Sequence, residues 1–415
     1  MKRMMVVWMA ILLLAWLAPM MLQAQEEIHP AKTEWDHGIL FWRSLDGEFA
    51  GRFDTRAFIN GAYFFENKNE LSNGTHPRKI RFALKMKMWR TWYAEWDIDV
   101  AEGIVEMKDM YLAYRGFRNS HIKVGNFKVP FGLEILTSSR YLPFPERAYF
   151  GLADKLHRRM AVEYSRWGQK WNVRAALFGQ MFDTRKNKTK DETGGGLAAR
   201  FAFTPIQNDR LIMHLGVSGV WVRPDDETWA EEFKAEPETK IGDLEMLETG
   251  TIRNVSYDYR GIVEGALVYR NFHLQGEYVG VQLHSLPNQY LNNIDGVETA
   301  NFSGGYVYLL WTITGESRPW DPTQGEFGQL IPRKKGLGAW ELGFRYSHLN
   351  LSDTEALILG GRANNYTFGL NWYPNDNIVN QLNYTIVHNS ENATGNGVIG
   401  GDEFSYVQFM IKFFF

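Results

Sequence analysis

The C-terminal stretch of the chain alternates strictly between apolar and mixed positions. From Ser405 to Phe415 every second residue is apolar, whereas the residues between them include a charge, Lys412. A period of two is typical of a β-strand with one face toward an apolar medium and one face that tolerates water. The same alternation recurs along the chain without helices to cover it, so we expect that medium to be lipid. An open strand edge in hydrocarbon would leave backbone groups unpaired, and the sheet must therefore close into a barrel. We predict that the apolar face of this last strand is the barrel assembly signal, formed by Val407, Phe409, Ile411, Phe413 and Phe415.

The alternation predicts an all-β fold, a 16-stranded antiparallel transmembrane β-barrel. The predicted strands are 48–65, 78–90, 92–101, 106–116, 120–130, 160–167, 170–180, 195–204, 210–222, 259–270, 271–284, 302–314, 337–350, 364–373, 377–388 and 404–415. Counted back from the C-terminus, every second connection is short, as periplasmic turns are, and most of the others are long, as outer loops are. The long outer loops include 131–159, 223–258 and 351–363, and one long segment, 315–335, falls on the periplasmic side.

The same alternation divides the barrel wall into a lipid face and a lumen face. Apolar residues of the second predicted strand oppose Arg81, Lys85 and Lys87, and Glu95, Asp97 and Asp99 occupy the polar face of the next strand. The predicted lumen is therefore polar and carries charges of both signs. Sixteen strands leave an aqueous channel, so passive passage of small hydrophilic solutes is the function we expect first.

Composition and the N-terminus agree with a secreted barrel. The 415 residues include no cysteine, are 15% aromatic and carry a formal net charge of −3, which is too polar for a helical membrane protein and very aromatic for a soluble one. Lys2 and Arg3 precede an apolar run from Met4 to Leu22, the pattern of a signal peptide. We predict a signal peptide at 1–24, a periplasmic N-terminal segment at 25–47 and the barrel at 48–415. An uncleaved anchor helix is the alternative for residues 4–22.

Ordered motifs along the chain then point to a family. They are Trp92 to Trp96, Lys108 to Tyr114, Val124 to Glu134, Leu136 to Ser139, Pro145 to Arg147, Arg158-Arg159, Thr314 to Arg318, Gly338 to Leu342 and Leu370 to Asn375. In residues 81–161 and 306–373 the chain resembles the phosphate-selective porin O and P family. The resemblance implies a trimeric outer-membrane porin that favours anions, with phosphate or polyphosphate as the anions of its best-known members. It also implies that the third outer loop, 131–159, folds into the lumen and forms the constriction.

Anion selectivity requires arginine and lysine at the narrowest part of the channel. The third outer loop has five basic residues against Glu134, Glu146 and Asp154. We predict an anion path along this loop and the neighbouring strands; Lys128 is the least regular member because it lies on the other parity from Lys123. The candidate path residues are Arg140, Arg147, Lys155, Arg158, Arg159, Arg81, Lys85, Lys87, Lys123 and Lys128. The alternative is that these are ordinary lumen charges balanced by neighbouring carboxylates.

Two features argue against phosphate selectivity and one leaves a question open. Phosphate-selective relatives have a lysine where this chain has Ile135. The outer loop 223–258 is acidic and would repel anions at the mouth; we expect a solvated loop that meets lipopolysaccharide through cations, rather than a calcium site. The basic residues of the periplasmic segment, Arg318, Arg333, Lys334 and Lys335, either form a second basic restriction in the lumen or only face the periplasm.

Other function classes find little support in the sequence. The ten histidines are scattered without metal-ligand spacing, and Ser347 and His348 are adjacent in a strand and point to opposite faces. We therefore expect no enzyme, no cofactor, no metal site and no nucleic-acid partner. The expected partners are membrane lipid and lipopolysaccharide, small anions, the barrel assembly machinery and two further copies of the chain in a homotrimer. The remaining alternatives are a non-selective general porin and a non-conducting structural or adhesive barrel.

Overall fold

The computed structural model describes residues 32–36, 39–65, 68–149, 156, 158–182, 194–242, 244–334 and 336–415. The predicted signal peptide, Lys155 and Lys335 lie outside these residues. In the described part of the chain, no helix has both the length and the apolar character needed to cross a membrane.

Sixteen long antiparallel strands form a closed barrel in the described residues. They are β3 (Phe49–Phe64), β4 (Gly74–Met88), β5 (Trp92–Asp99), β6 (Glu106–Tyr114), β7 (Ser120–Lys128), β8 (Arg158–Trp167), β9 (Trp171–Phe178), β10 (Gly195–Gln207), β11 (Leu211–Arg223), β16 (Val255–Tyr269), β17 (Phe272–Ser285), β18 (Thr299–Thr312), β21 (Ala339–Asp353), β22 (Ile358–Asn375), β23 (Ile378–Asn389) and β24 (Glu403–Phe414). Each of these strands pairs with the strand before it and the strand after it. The last strand, β24, pairs with β3 and closes the barrel, with Met410 opposite Asn60. The predicted strand number and fold class are confirmed.

The observed faces of the wall follow the predicted alternation. Phe409 and Phe413 of β24 and Phe415 directly after it are exposed on the outer face, whereas Tyr406 and Lys412 are fully buried inside. A charged side chain on the outer face would meet hydrocarbon, which disfavours it strongly. The alternation of side chains therefore places the charges of the wall in the lumen.

The N-terminal segment contains a hairpin that the alternation did not indicate. Strands β1 (Lys32–Asp36) and β2 (Ile39–Arg43) pair with each other, and β2 continues along β3, with Trp42 opposite Gly51. A Cβ atom at Gly51 would lie 2.4 Å from the Trp42 ring, so glycine is required for this close packing. The hairpin extends the wall at the periplasmic end of β3, below the end of β24.

One predicted outer loop is wrong in its length. We expected a long loop at 351–363, but β21 and β22 run on to Asp353 and Ile358 and leave only four residues between them. The ladder continues because Asn350 pairs with Arg362 and a bulge after Asn350 lets the two strands stay in register. Strand propensity alone did not indicate this extension past Gly360 and Gly361.

Three connections contain structure of their own and define the interior of the barrel. The third outer loop (residues 129–157) begins with a short helix, α1 (Leu133–Leu136). The acidic outer loop (224–254) has two small ladders, and the periplasmic insert (313–338) has one. These short strands are β12 (Ala230–Glu231), β13 (Lys234–Ala235), β14 (Leu247–Glu248), β15 (Ile252–Arg253), β19 (Trp320–Asp321) and β20 (Glu326–Phe327); single 3-10 turns lie at Leu291–Asn293 and Gly395–Gly397.

The main apolar core lies inside the barrel rather than on its outer face. It joins Phe131 and Phe144 of the third outer loop and Leu247 of the acidic outer loop to inward-facing wall residues such as Ile262 and Phe302. The prediction of a polar inner face is therefore wrong for the part of the wall that contacts these two loops. Burial of these side chains against the inserted loops, about 1.5–3 kcal/mol for each large side chain, stabilises the filled interior.

Candidate functional site

The third outer loop contacts inward-facing side chains on the far wall of the barrel. The backbone N–H of Leu133 donates to the carboxylate of Glu277 in β17 at 2.6 Å. The ammonium of Lys412 in β24 donates to the carbonyl of Leu142 at 3.1 Å. These anchors come from strands distant from β7 and β8, between which the loop arises, so the loop lies across the interior.

The acidic outer loop also enters the barrel. Glu238 is 2% exposed, and its carboxylate lies 2.9 Å from the guanidinium of Arg345 in β21. The hydroxyl of Tyr406 in β24 donates to the carbonyl of Pro237 at 2.7 Å. The expectation of a solvated surface loop is therefore wrong for the segment around Glu238, whereas Asp226 and Glu227 are exposed. The carboxylate of Glu238 pairs with the buried Arg345 of the wall, where an unpaired charge would be strongly unfavourable.

The periplasmic insert enters the barrel from the periplasmic end and packs against β10 and β11. Arg200 of β10 donates to the carbonyl of Gly325 at 2.9 Å. The ring of Trp320 lies 4.4 Å from the ring of His214 in β11, measured between centroids. The insert is thus held by polar and aromatic contacts with lumen-facing residues of the wall.

Among the described residues, the basic side chains of the insert do not form a second basic restriction. Arg318 is buried and lies 2.6 Å from the carboxylate of Glu341, so its charge is compensated. Arg333 and Lys334 are exposed outside the cavity described below. The residues that the insert presents to this cavity are polar or acidic: Asp321, Gln324 and Glu326.

The half of the lumen bordered by β3 to β9 remains open as a cavity of about 970 Å³. Fourteen arginine and lysine residues line it against five acidic ones, Glu34, Glu95, Asp109, Asp321 and Glu326. The cavity, named here the basic cavity, follows β4 from Lys79 to Lys87, a length of about 27 Å at the rise of a strand. Its basic residues are Arg43, Arg52, Arg56, Lys79, Arg81, Lys85, Lys87, Arg115, Lys123, Lys128, Arg140, Arg147, Arg158 and Arg174.

The basic cavity contains eight of the ten residues predicted for the anion path. Arg159 does not line it, and Lys155 lies outside the described residues. Sequence reasoning missed six cations of the lining. Arg52 and Arg56 share the parity of the inward-facing Asp54 in β3, so the alternation contained the signal for both. The other four are Arg43, Lys79, Arg115 and Arg174.

Lys123 and Lys128 both line the basic cavity although they have opposite parity in β7. Gly125 lies between them with a φ of 137°, and a Cβ atom there would lie 2.2 Å from the carbonyl oxygen of Met110. Only glycine fits this position, and its backbone conformation interrupts the regular alternation of the strand. This irregularity brings both lysines to the same cavity.

Many of the cavity cations have carboxylate partners. Arg81 lies 2.7 Å from Asp99, and Arg158 lies 2.6 Å from Asp109. The carboxylates of Glu95, Asp97 and Asp109 approach within 4.8 Å of one another. Two of these three carboxylates pair with an arginine: Asp109 with Arg158, and Asp97 with Arg56 at 3.6 Å. In this part of the wall the cations thus have carboxylate partners, as the alternative interpretation of the lumen charges expects.

Six cations of the cavity have no carboxylate within 4.0 Å among the described residues: Arg43, Lys79, Lys87, Arg115, Lys128 and Arg147. The ammonium of Lys128 donates to the carbonyls of Ile135, Leu136 and Thr137 at 2.7 to 3.2 Å. Arg147 donates through Nε and Nη2 to carbonyls of the same loop segment. Its Nη1 has no hydrogen bond to a described residue. The carbonyls orient these two cations, and neither cation forms an ion pair within 4.0 Å with a described residue.

Two carboxyl groups of the third outer loop differ in their protonation. Burial raises the pKa of Glu134 to about 7, although the nearby Arg345 and Arg147 oppose this rise. Burial would also raise the pKa of Glu146, but its ion pair with Arg78 prevails and lowers it to about 2. Glu146 therefore stays ionised at physiological pH, whereas Glu134 titrates near neutrality and changes the charge beside Arg147.

A closed sixteen-stranded barrel with an apolar outer face and a water-accessible charged lumen is a porin, an integral channel protein of the cell outer membrane. The family model "Phosphate-selective porin O and P" matches residues 49–415, and the chain belongs to this family. Porin O of Pseudomonas aeruginosa is 24% identical over 377 residues, which are 82% of this chain and 83% of that protein.

Solved structures agree with the fold. An anion-selective porin from Comamonas acidovorans has a TM-score of 0.54 at 12% identity, over 89% of this chain and 100% of that one. OmpT, an outer membrane protein of Vibrio cholerae in its trimer form, has a TM-score of 0.54 at 9% identity, over 88% of this chain and 99% of that one. The resemblance stated from the sequence motifs is confirmed by the family match.

Proposed function

We propose that this porin is a passive diffusion channel that prefers small anions, with phosphate and polyphosphate among them. The observation that carries the proposal is the lining of the basic cavity, fourteen cationic side chains against five acidic ones. Positive charge along a water-filled constriction lowers the barrier for anions and raises it for cations. A lining of one sign also increases the local anion concentration.

Arg147 and Lys79 are the residues we assign to direct anion contact. Each lines the cavity and has no carboxylate within 4.0 Å among the described residues. The planar fork of arginine suits an oxyanion, and lysine acts as a point charge. The lysine of phosphate-selective relatives is replaced by Ile135, whose side chain is 2% exposed in the apolar core. The ammonium of Lys128 donates a hydrogen bond to the carbonyl of Ile135 and supplies a positive charge near this position.

The acidic outer loop is a smaller obstacle to anions than its composition suggests. Lys234 lies 3.0 to 3.5 Å from Glu232, Glu245 and Glu248, and Glu238 is paired with Arg345 inside the barrel. A hydrogen bond with Glu248 raises the pKa of Lys234, which keeps it charged. These pairs compensate part of the negative charge at the mouth.

The test is a single-channel recording of the purified protein in a planar bilayer under a potassium chloride gradient, followed by titration of phosphate. We expect a reversal potential near the chloride limit and a chloride current that phosphate blocks. A reversal potential near zero without block would refute anion preference and favour a non-selective general porin.

A non-conducting structural barrel is the second candidate, because three inserted segments fill half of the lumen. The two outer loops share one apolar core, and Trp320 and Phe327 of the periplasmic insert belong to another. Absence of any conductance in the same recording would support it.

We also propose that the protein forms a homotrimer that contacts lipopolysaccharide. We further propose that the barrel assembly machinery recognises the apolar face of β24. Native mass measurement in detergent checks the number of subunits.

A further inference from the structure

The basic cavity is also lined by aromatic rings, which anion attraction does not require. Six aromatic residues belong to the lining, and three of them lie on consecutive strands: Tyr93 on β5, Tyr111 on β6 and Phe127 on β7. Chloride and inorganic phosphate have no apolar surface that could use these rings. The rings therefore indicate a ligand that has an apolar group in addition to its negative charge.

The strand register places these three rings on a diagonal. Ala113 is opposite Tyr93, and Gly125 is opposite Tyr111. Each ring thus lies one strand over and two residues further from the periplasmic end than the ring before it, a step of about 8 Å at the usual spacings of a sheet. The centroids of the Tyr111 and Phe127 rings are 6.1 Å apart. The rings form a continuous path, named here the aromatic path, from the periplasmic mouth upward.

Cations lie on the rings of the aromatic path. The guanidinium carbon of Arg115 is 4.3 Å from the centroid of Tyr93, and the ammonium of Lys87 is 5.9 Å from the same ring. The ammonium of Lys123 lies 4.0 Å from the centroid of Phe127 and 5.2 Å from that of Tyr111.

The two cations at Tyr93 have charge available for a ligand. Neither Arg115 nor Lys87 has a carboxylate within 4.0 Å among the described residues. The Nε atom of Arg115 is buried without a hydrogen-bond partner. When one face of a guanidinium stacks on an aromatic ring, the opposite face can stack on a second ring. The N–H groups in its plane can donate to an oxyanion.

We propose that the preferred solutes are organic oxyanions with an aromatic ring, such as aryl phosphates and aryl carboxylates. The charged group follows the cations, and the ring packs successively against Tyr93, Tyr111 and the guanidinium of Arg115. The inference rests on the proposed anion preference and names the substrate class of the same cavity. Inorganic phosphate uses the cations alone.

The test compares phenyl phosphate with inorganic phosphate as blockers of the chloride current in single-channel recordings at about pH 8, where both are mainly dianions. We expect phenyl phosphate to block at a concentration about fivefold lower, the factor that corresponds to one aromatic contact. In a Tyr93→Leu/Tyr111→Leu double variant we expect this advantage to disappear, with the block by inorganic phosphate unchanged.

A matched control separates the ring from the hydroxyl. The hydroxyl of Tyr111 donates to Glu95 at 2.8 Å, so Tyr111→Phe removes this hydrogen bond and keeps the ring, and it should retain the advantage of phenyl phosphate. Equal block by the two anions in the wild type, or an advantage that persists in the double variant, would overturn the inference and leave anion preference intact. No block by either anion, with a reversal potential of zero, would overturn the proposed function as well.

Discussion

Neutralising Lys79 tests the proposed anion path at a single charge. Lys79 is 8% exposed, lines the basic cavity and lies 5.6 Å from the Phe58 ring. In the described part of the chain it has neither a hydrogen bond nor a carboxylate within 4.0 Å. The substitution Lys79→Gln removes a cationic group that has no ion-pair partner within 4.0 Å in the described residues, and it leaves the strand ladder unchanged, so we expect the barrel to fold normally.

The size of the effect follows from Coulomb's law. A monovalent anion 4 Å from one elementary charge gains about 1 kcal/mol at the dielectric constant of water and about 4 kcal/mol at an effective value of 20. The water-filled cavity is nearer the first limit. For a phosphate dianion the loss is then about 2 kcal/mol, which corresponds to a roughly thirtyfold higher half-blocking concentration.

The assay is the phosphate titration of single-channel chloride current at about 0.1 M salt, where screening acts over about 10 Å. Lys334→Gln is the matched control, because Lys334 is exposed and does not line the cavity. The assignment of Lys79 to the anion path would be refuted if phosphate blocked the Lys79→Gln channel at the wild-type concentration. It would also be refuted if both variants lost phosphate block to the same extent.

Three further predictions address the loops and the barrel seam. Glu238→Gln breaks the buried pair with Arg345, at a cost of about 3–5 kcal/mol; we expect the acidic outer loop to leave the lumen and single-channel conductance to rise, and unchanged conductance would contradict this role. Because the pKa of Glu134 is about 7, this group is neutral at pH 5 and negative at pH 8.5, so chloride selectivity in a potassium chloride gradient should weaken as the pH rises through 7 in the wild type. Glu134→Gln should show no such change, and a pH dependence that persists would point to another group. Deletion of Phe415 removes two backbone hydrogen bonds to Thr55 at the seam, of 2.9 and 3.1 Å; we expect less heat-modifiable barrel on electrophoresis of outer membranes, and a wild-type amount would contradict the expectation.

The strands and their faces could be predicted from the sequence because both depend on local rules. Side chains alternate across a strand whatever the rest of the chain does, and charges cannot face hydrocarbon. Arg81 and Lys85 were therefore assigned correctly to the lumen, as was the apolar outer face of β24. The ordered motifs likewise sufficed to indicate the family, which the match over residues 49–415 confirms.

The filling of the lumen was decided only by the tertiary structure. The contact of Lys412 with Leu142 joins residues 270 positions apart, and the contact of Arg345 with Glu238 joins residues 107 positions apart. Which loop enters the barrel, and which cation is left without a carboxylate, depend on how barrel closure brings such distant residues together. A sequence pattern specifies the direction of a side chain from its own strand, but its partner is set by register across the whole barrel. For that reason the alternation could predict a basic wall, whereas the lack of an ion-pair partner within 4.0 Å of Lys79 among the described residues became evident only from the folded chain.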